Sequence, residues 1–189
     1  MTKEVERCRI ALKRAAGGDL VALISSGDPG IYGMAGLALE LSQTQQIAAP
    51  IEIIPGVTAA CAAAARVGAP LMCDYATISL SDLLTPWDVI RKRLEAAAAA
   101  DFVAAIYNPR SSKRTKQLAE AAAVFRQYRA GNTPVGIATA LGTPEEKVVL
   151  TDMDHFLEQK IDMRSIVLIG NLSSKSFNGW FVTPRGYQI

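Results

Sequence analysis

Histidine, cysteine and aromatic residues are scarce in this chain, and each scarcity closes off a class of chemistry. Of 189 residues, 6% are aromatic, three are cysteine and one is histidine. Few aromatics argue against a surface on which nucleic-acid bases stack. Cys8, Cys61 and Cys73 form no CxxC pair, and His155 stands alone, so a common zinc site is excluded and a disulfide framework is not expected. No apolar run approaches ~18 residues, and the charged opening MTKEVERCRIALKRAAGG has no apolar signal core. Net charge is only +2, so no global field draws the chain to nucleic acid or membrane, and any basic patch acts locally. The expectation is a cytoplasmic protein with no metal, nucleic-acid or membrane partner.

What is present is ordinary globular material, 50% apolar and 20% charged, enough for one medium domain or two small ones. Val5, Cys8, Ile10, Leu12 and Ala15 recur at helical spacing, and Gly17–Gly18 ends that helix. LVALIS and PIEIIPG read as buried strands, with helices over 31–45 and VTAACAAAARVG. YATISL, DFVAAIYNP and TPVGIATAL read as strands separated by a helix from Pro86, with Thr85 and Asp88 spaced as a capping pair, and a helix over 113–129. EKVVLTD, SIVLIG and GWFVTPRG follow as strands in quicker succession. This order predicts an α/β protein with helices flanking a mainly parallel sheet and some antiparallel pairing in the last third. GAPLMCD, residues 68–74, marks the boundary, giving domains 1–71 and 72–189. The first part holds two expected strands against three helices, too few for a covered sheet of its own.

Three turns stand out because ligands of open α/β sheets bind outside the carboxyl ends of the strands. In SSGDPGIYG, Gly27 and Gly30 allow positive φ and close backbone approach, Pro29 fixes φ, and Asp28 accepts hydrogen bonds. The loop has neither Walker nor GxGxxG spacing; a plain βα turn with an Asp cap fits it equally well. IIPGVTAACAAAARVG repeats the pattern with the Thr58 hydroxyl and only small residues after it, as an alanine helix packed close to a sheet also would. In YNPRSSKRTK, Arg110, Lys113, Arg114 and Lys116 crowd an expected helix start, where cations oppose the macrodipole unless an anion binds. ISLSDLLTPWD adds Ser79, Ser81 and Asp82 at a strand end. His155, among acids in TDMDHFLEQ, is expected to be a surface residue.

SGDPGIYG, IIPGVTAACAAAARVGAP, YNPRS, TPVGIATALG and IVLIGN stand in an order that resembles the tetrapyrrole methyltransferases that use S-adenosylmethionine. Within that family, ISLSDLLTPW, FVAAIYNPRS and the ending VTPRGY resemble the branch acting on C17 of precorrin-3B or cobalt-factor III. The resemblance implies two α/β domains with donor and tetrapyrrole in the cleft between them, in a homodimer. Carried over by motif, the donor would meet Gly27, Asp28, Ile31, Thr58, Ala59, Tyr107, Asn108 and Gly136. The tetrapyrrole, which bears several carboxylates, would meet Ser81, Asp82, Arg110 and Arg114. The C17 reaction is associated with ring contraction and needs proton transfers, but no residue here is marked as the base. The family begins with a strand and a Gly-Pro-Gly loop under the donor. No such loop precedes Thr2, so the resemblance also implies a first domain that is incomplete in this chain.

Overall fold

The computed structural model describes residues 3–188, which divide into two compact units, residues 1–59 and 60–189. The boundary expected at 71/72 lies inside the second unit.

In the first unit, α1 (Glu4–Ala16) packs on α2 (Ala35–Thr44), burying Cys8, Leu12 and Ala38. Acidic residues Glu4 and Glu6 open α1 while Lys13 and Arg14 close it, complementing the helix dipole. The two expected strands do not form. Residues 20–25 and 51–56 carry no regular secondary structure, and no strand occurs among the described residues of this unit. Apolar content favours a strand only where a neighbour takes up its N–H and C=O groups. These segments have no ladder partner, and Leu20, Ile24, Ile54 and Val57 are 105%, 82%, 73% and 68% exposed. The second helix starts at Ala35 rather than near residue 31 because the turn before it is longer than expected. The Ala35 amide donates to the Pro29 carbonyl at 3.0 Å, and a Cβ on Gly33 would sit 2.5 Å from that oxygen.

The second unit is built on a five-stranded sheet of β2 (Tyr75–Ser79), β3 (Val103–Tyr107), β4 (Pro134–Thr139), β5 (Lys147–Asp152) and β6 (Ser165–Ile169), in the order β2-β3-β6-β4-β5. The crossovers through α4 (Trp87–Ala99) and α5 (Gln117–Arg126) make β2, β3 and β4 run the same way. Only β2 and β3 are parallel neighbours, however, because β6 inserts antiparallel between β3 and β4. Along β4, Val135 and Ile137 enter the core with Ile90, Leu94, Leu118 and Phe125 of the two helices. On the opposite face, Gly136 lies against Val67 of α3 (Ala59–Val67) and Phe181 of β8. That face also carries a small sheet in which β1 (Gly68–Ala69) and β7 (Lys175–Phe177) flank β8 (Trp180–Val182). Asn178–Gly179, both at positive φ, close the β7–β8 hairpin.

Two helix starts differ from expectation. No side-chain hydrogen bond caps α4, whose N-cap is Pro86, so Thr85 and Asp88 form no capping box. The fifth helix begins at Gln117 rather than 113, which leaves the four cations of the basic segment in the preceding loop or at its last residue.

At the amino end of β3 the Arg129 side chain is 1% exposed and fully engaged. Its Nε donates to the Gly170 carbonyl at 3.0 Å, Nη1 to Ala98 at 3.1 Å and Tyr128 at 3.3 Å, and Nη2 to Phe102 at 3.2 Å. Asp101 Oδ1 lies 2.9 Å from Nη1 and neutralises it. Replacing one member of a fully buried ion pair typically costs about 3–5 kcal/mol, and the 37% exposure of the Asp101 side chain places this pair below that range. Arg129→Met is therefore expected to lower the urea midpoint read from β3 and β6 amides. Arg129→Lys should recover only part of the loss, because an ammonium lacks the planar fork; an unchanged midpoint for both variants would refute this.

Candidate functional site

In the first unit the geometry centres on Asp28. One carboxylate oxygen accepts the Gly30 amide at 2.8 Å, and the other accepts the Gly56 amide at 3.1 Å. A single side chain thus joins the GDPG turn to the PGVT turn, far apart in sequence. The backbones touch at the same point: Gly27 has φ +86°, and a Cβ on Gly56 would collide with the Gly27 carbonyl. A Cβ on Gly27 would meet the Val57 carbonyl oxygen at 3.2 Å. Gly56 was not singled out by the sequence reading, although the Pro-Gly pair was the available signal. Amide donation from Gly56, then Gly30, holds the Asp28 carboxyl below the usual carboxylate range. Ile31, after the turn, is 41% exposed.

In the second unit the polar groups gather at the carboxyl ends of β2 and β3. The Ala60 amide, in the first turn of α3, donates to the Tyr107 hydroxyl at 2.9 Å, so the end of β3 caps the helix that follows PGVTA. Asn108 takes φ +49°, a left-handed conformation that asparagine tolerates better than most residues. Its Nδ2 donates to Ser79 Oγ at 3.0 Å, and the Ser81 amide donates to the same oxygen at 3.2 Å. Ser79 therefore links YNP to SLSDLLTPW. Asp82 accepts from Gln117 Nε2 at 2.8 Å, and Trp87 Nε1 donates to Glu120 at 2.7 Å, fastening the SLSDLLTPW loop to the start of α5. Leu83 and Leu84 at the loop tip are 80% and 93% exposed.

The expected basic cluster separates into two kinds of residue. Lys113 and Lys116 are exposed, and half-buried Arg110 lines an open pocket with Ser111, Ser112, Asp162 and Arg164. Arg114 is only 9% exposed, and its Nη2 donates to the Asn108 carbonyl at 2.7 Å. Gly136 is buried, with the space beside its Cα taken by Val67 and Phe181, so its lack of a side chain serves the packing of α3 and β8. His155 is exposed and bonded to Asp152 Oδ1 at 2.7 Å, which raises the imidazole pKa. Asp152 pairs with Pro134 at the start of β4, so His155 lies at the opposite end of the sheet from Asn108.

The Asp28 tie has a pH signature. Because the folded-state pKa lies below the unfolded one, its stabilisation is present above the unfolded value and is lost as pH falls through the folded one. The Gly30 and Gly56 amides should lose exchange protection below about pH 4. Asp28→Asn should lower that protection at neutral pH and remove the acid step; wild-type protection in this variant would sink the assignment.

The sequence matches the family described as Tetrapyrrole (Corrin/Porphyrin) Methylases over residues 2–156. It is 48% identical over 189 residues to a probable cobalt-factor III C(17)-methyltransferase of Salmonella typhimurium, covering 100% of this chain and 78% of that protein. It is 46% identical over 192 residues to a cobalt-factor III methyltransferase of Priestia megaterium; the match covers 100% of this chain but only 36% of that longer protein. Among solved structures, the methyltransferase CobJ aligns with a TM-score of 0.89 at 40% identity, over 96% of this chain and 77% of that one. The turns that Asp28 organises, and the end of β3 at Tyr107 and Asn108, thus occur in a chain that belongs to the tetrapyrrole methylase family.

Proposed function

We propose that this protein transfers a methyl group from S-adenosylmethionine to C17 of precorrin-3B or cobalt-factor III, with contraction of the macrocycle, in cobalamin biosynthesis. The observation that carries the reading is the joining of the GDPG and PGVT turns by Asp28, whose backbones approach so closely that a Cβ at Gly27 or Gly56 would meet the other turn. A polar donor lying against main chain suits turns of this kind. Gly27, Asp28, Ile31, Thr58 and Ala59 are the proposed donor residues of the first unit, and Tyr107 and Asn108 those of the second. When bound, the donor supplies a methyl group on a sulfonium sulfur. The chain's own part is chiefly alignment, which can supply ~7–11 kcal/mol of a barrier. Asp28 is occupied with two backbone amides and Asp82 with Gln117, so each orients its loop, and no base is assigned to either.

For the tetrapyrrole we propose Ser81 and Asp82 in the SLSDLLTPW loop and Arg110 in its open pocket, the last facing a side-chain carboxylate. No helix of the described residues is long and apolar enough to cross a membrane, and a cytoplasmic homodimer is the proposed state. The exposed apolar residues between 20 and 57 support self-association. The unpaired segments beside the donor turn also favour a second reading, a donor- or tetrapyrrole-binding protein without catalysis.

Calorimetry with S-adenosylhomocysteine tests the donor site, with micromolar affinity expected. Gly27→Val is expected to abolish that binding while leaving the circular dichroism largely intact, since a branched side chain is poorly accommodated at positive φ. Undiminished affinity in the variant would remove the donor assignment. Arg110→Gln is expected to raise KM for the tetrapyrrole, with kcat within a few-fold, and to weaken the salt dependence of binding. A fall in kcat at unchanged KM would mean that Arg110 is not a carboxylate dock. Donor binding without turnover would favour the second reading.

A further inference from the structure

Arg114 is set apart from the other cations of its loop. It is nine-tenths buried and makes no salt bridge among the described residues. Its Nη2 lies 2.7 Å from the Asn108 carbonyl oxygen and 3.6 Å from Met163 Sδ, while its Nε, like that of Arg110, is buried with no hydrogen-bond partner. A buried donor left unsatisfied is rare in folded proteins and calls for a reason. Here the reason is the atom that the other end of the guanidinium holds. Asn108 combines φ +49° with a following proline, Pro109, and residues before proline ordinarily take extended backbone with negative φ. Such a conformation persists only where its surroundings over-determine it.

Two tethers meet on this residue. Ser79 Oγ at the end of the neighbouring parallel strand accepts from its side chain, and Arg114 donates to its carbonyl. The loop that carries Arg114 is itself closed, because the Ser111 amide donates to the Arg114 carbonyl and the Arg114 amide to Ser111 Oγ, each at 3.0 Å. Charge-assisted hydrogen bonds are the stronger kind, and this one is shielded from water.

We propose that Arg114 is a positioning residue, which locks Asn108 in its left-handed conformation and so shapes the donor-facing end of β3, and that it does not bind the substrate's carboxylates. Arg110, half-buried and lining an open pocket, keeps that role. The proposal rests on the assignment of Tyr107 and Asn108 to the donor, so its test reads the conformation of Asn108 separately from ligand affinity.

In ¹⁵N,¹³C-labelled full-length chain, the Asn108 Cα and Cβ shifts and its HN–Hα coupling report φ. Arg114→Met keeps much of the side-chain bulk and deletes the hydrogen bond. It is expected to move those signals from left-handed toward extended values and to weaken S-adenosylhomocysteine binding about tenfold, the scale of one charge-assisted bond. Arg114→Lys, which keeps one donor on a flexible stem, should recover part of both effects and guards against a simple folding defect in the first variant. Ser79→Ala should shift the same signals. Arg110→Gln should shift none of them, leave S-adenosylhomocysteine affinity unchanged and weaken tetrapyrrole binding alone. Unchanged Asn108 signals in Arg114→Met would overturn the clamp. Changed signals with wild-type donor affinity would show that Asn108 is not a donor contact, overturning the donor assignment and the reaction role of Arg114 with it. Arg114→Met that weakens only the tetrapyrrole would make Arg114 a substrate ligand after all.

Discussion

The second unit depends on the ion pair of the buried Arg129 with the half-exposed Asp101. A guanidinium inside a protein is tolerated only when its charge is neutralised and its donors are used. Arg129 meets both conditions by drawing on four carbonyls from three connections. Ala98 and Phe102 flank the α4–β3 turn, Tyr128 ends the α5 region, and Gly170 follows β6. Asp101 completes the junction from a left-handed turn of its own, accepting the Leu172 amide while its carbonyl accepts from Asn171. Burial pushes the Arg129 pKa down and Asp101 opposes that shift, but the side chain stays charged. The junction fixes where β6 ends beside β3. An antiparallel strand inserted between two parallel ones has no crossover helix to place it, so a polar clamp at its terminus supplies that register.

The two ends of this sheet are put to different uses. The amino end of β3 gathers saturated backbone contacts. Left-handed backbone stands at both ends, Asp101 before β3 at φ +60°, and Asn108 after β3 and Ala140 after β4 at +49° and +54°. Ala140 is held by donating to the Arg164 carbonyl at 3.0 Å. Strained positions survive where their surroundings over-determine them, and they concentrate where ligands are handled.

The first unit handles backbone in another way. Its GDPG and PGVT turns approach one another without a β-ladder, and the Asp28 carboxylate does what a pair of strand hydrogen bonds would do. Two glycines make the approach possible, Gly27 by its positive φ and Gly56 because a Cβ would strike the Gly27 carbonyl. The result is a turn pair joined through one carboxylate, beside apolar residues that stay exposed.

Much of this was legible in the amino-acid sequence, because some of the physics is local. Helical spacing marks α1, residue type and turn signals mark the other α-helices of the described residues, and apolar runs mark β2 through β6, since the burial that stabilises them is written in residue order. The glycines and Asp28 of the first turn, and Tyr107 and Asn108 at the end of β3, were marked by residue type after an apolar run. The same apolar reading failed at residues 20–25 and 51–56, because a strand exists only through a partner that its own sequence does not specify. The short strands β1 and β7 went unread, although Asn178–Gly179 was a hairpin signal. Spacing also could not distinguish Arg114 from Arg110, or show that Val67 and Phe181 stand beside Gly136. The sequence by itself determined which residues can turn, bury or carry charge. Tertiary structure alone decided which arginine is buried, which carboxylate is already engaged, and where β6 enters the sheet, because each depends on groups that only folding brings within hydrogen-bond reach.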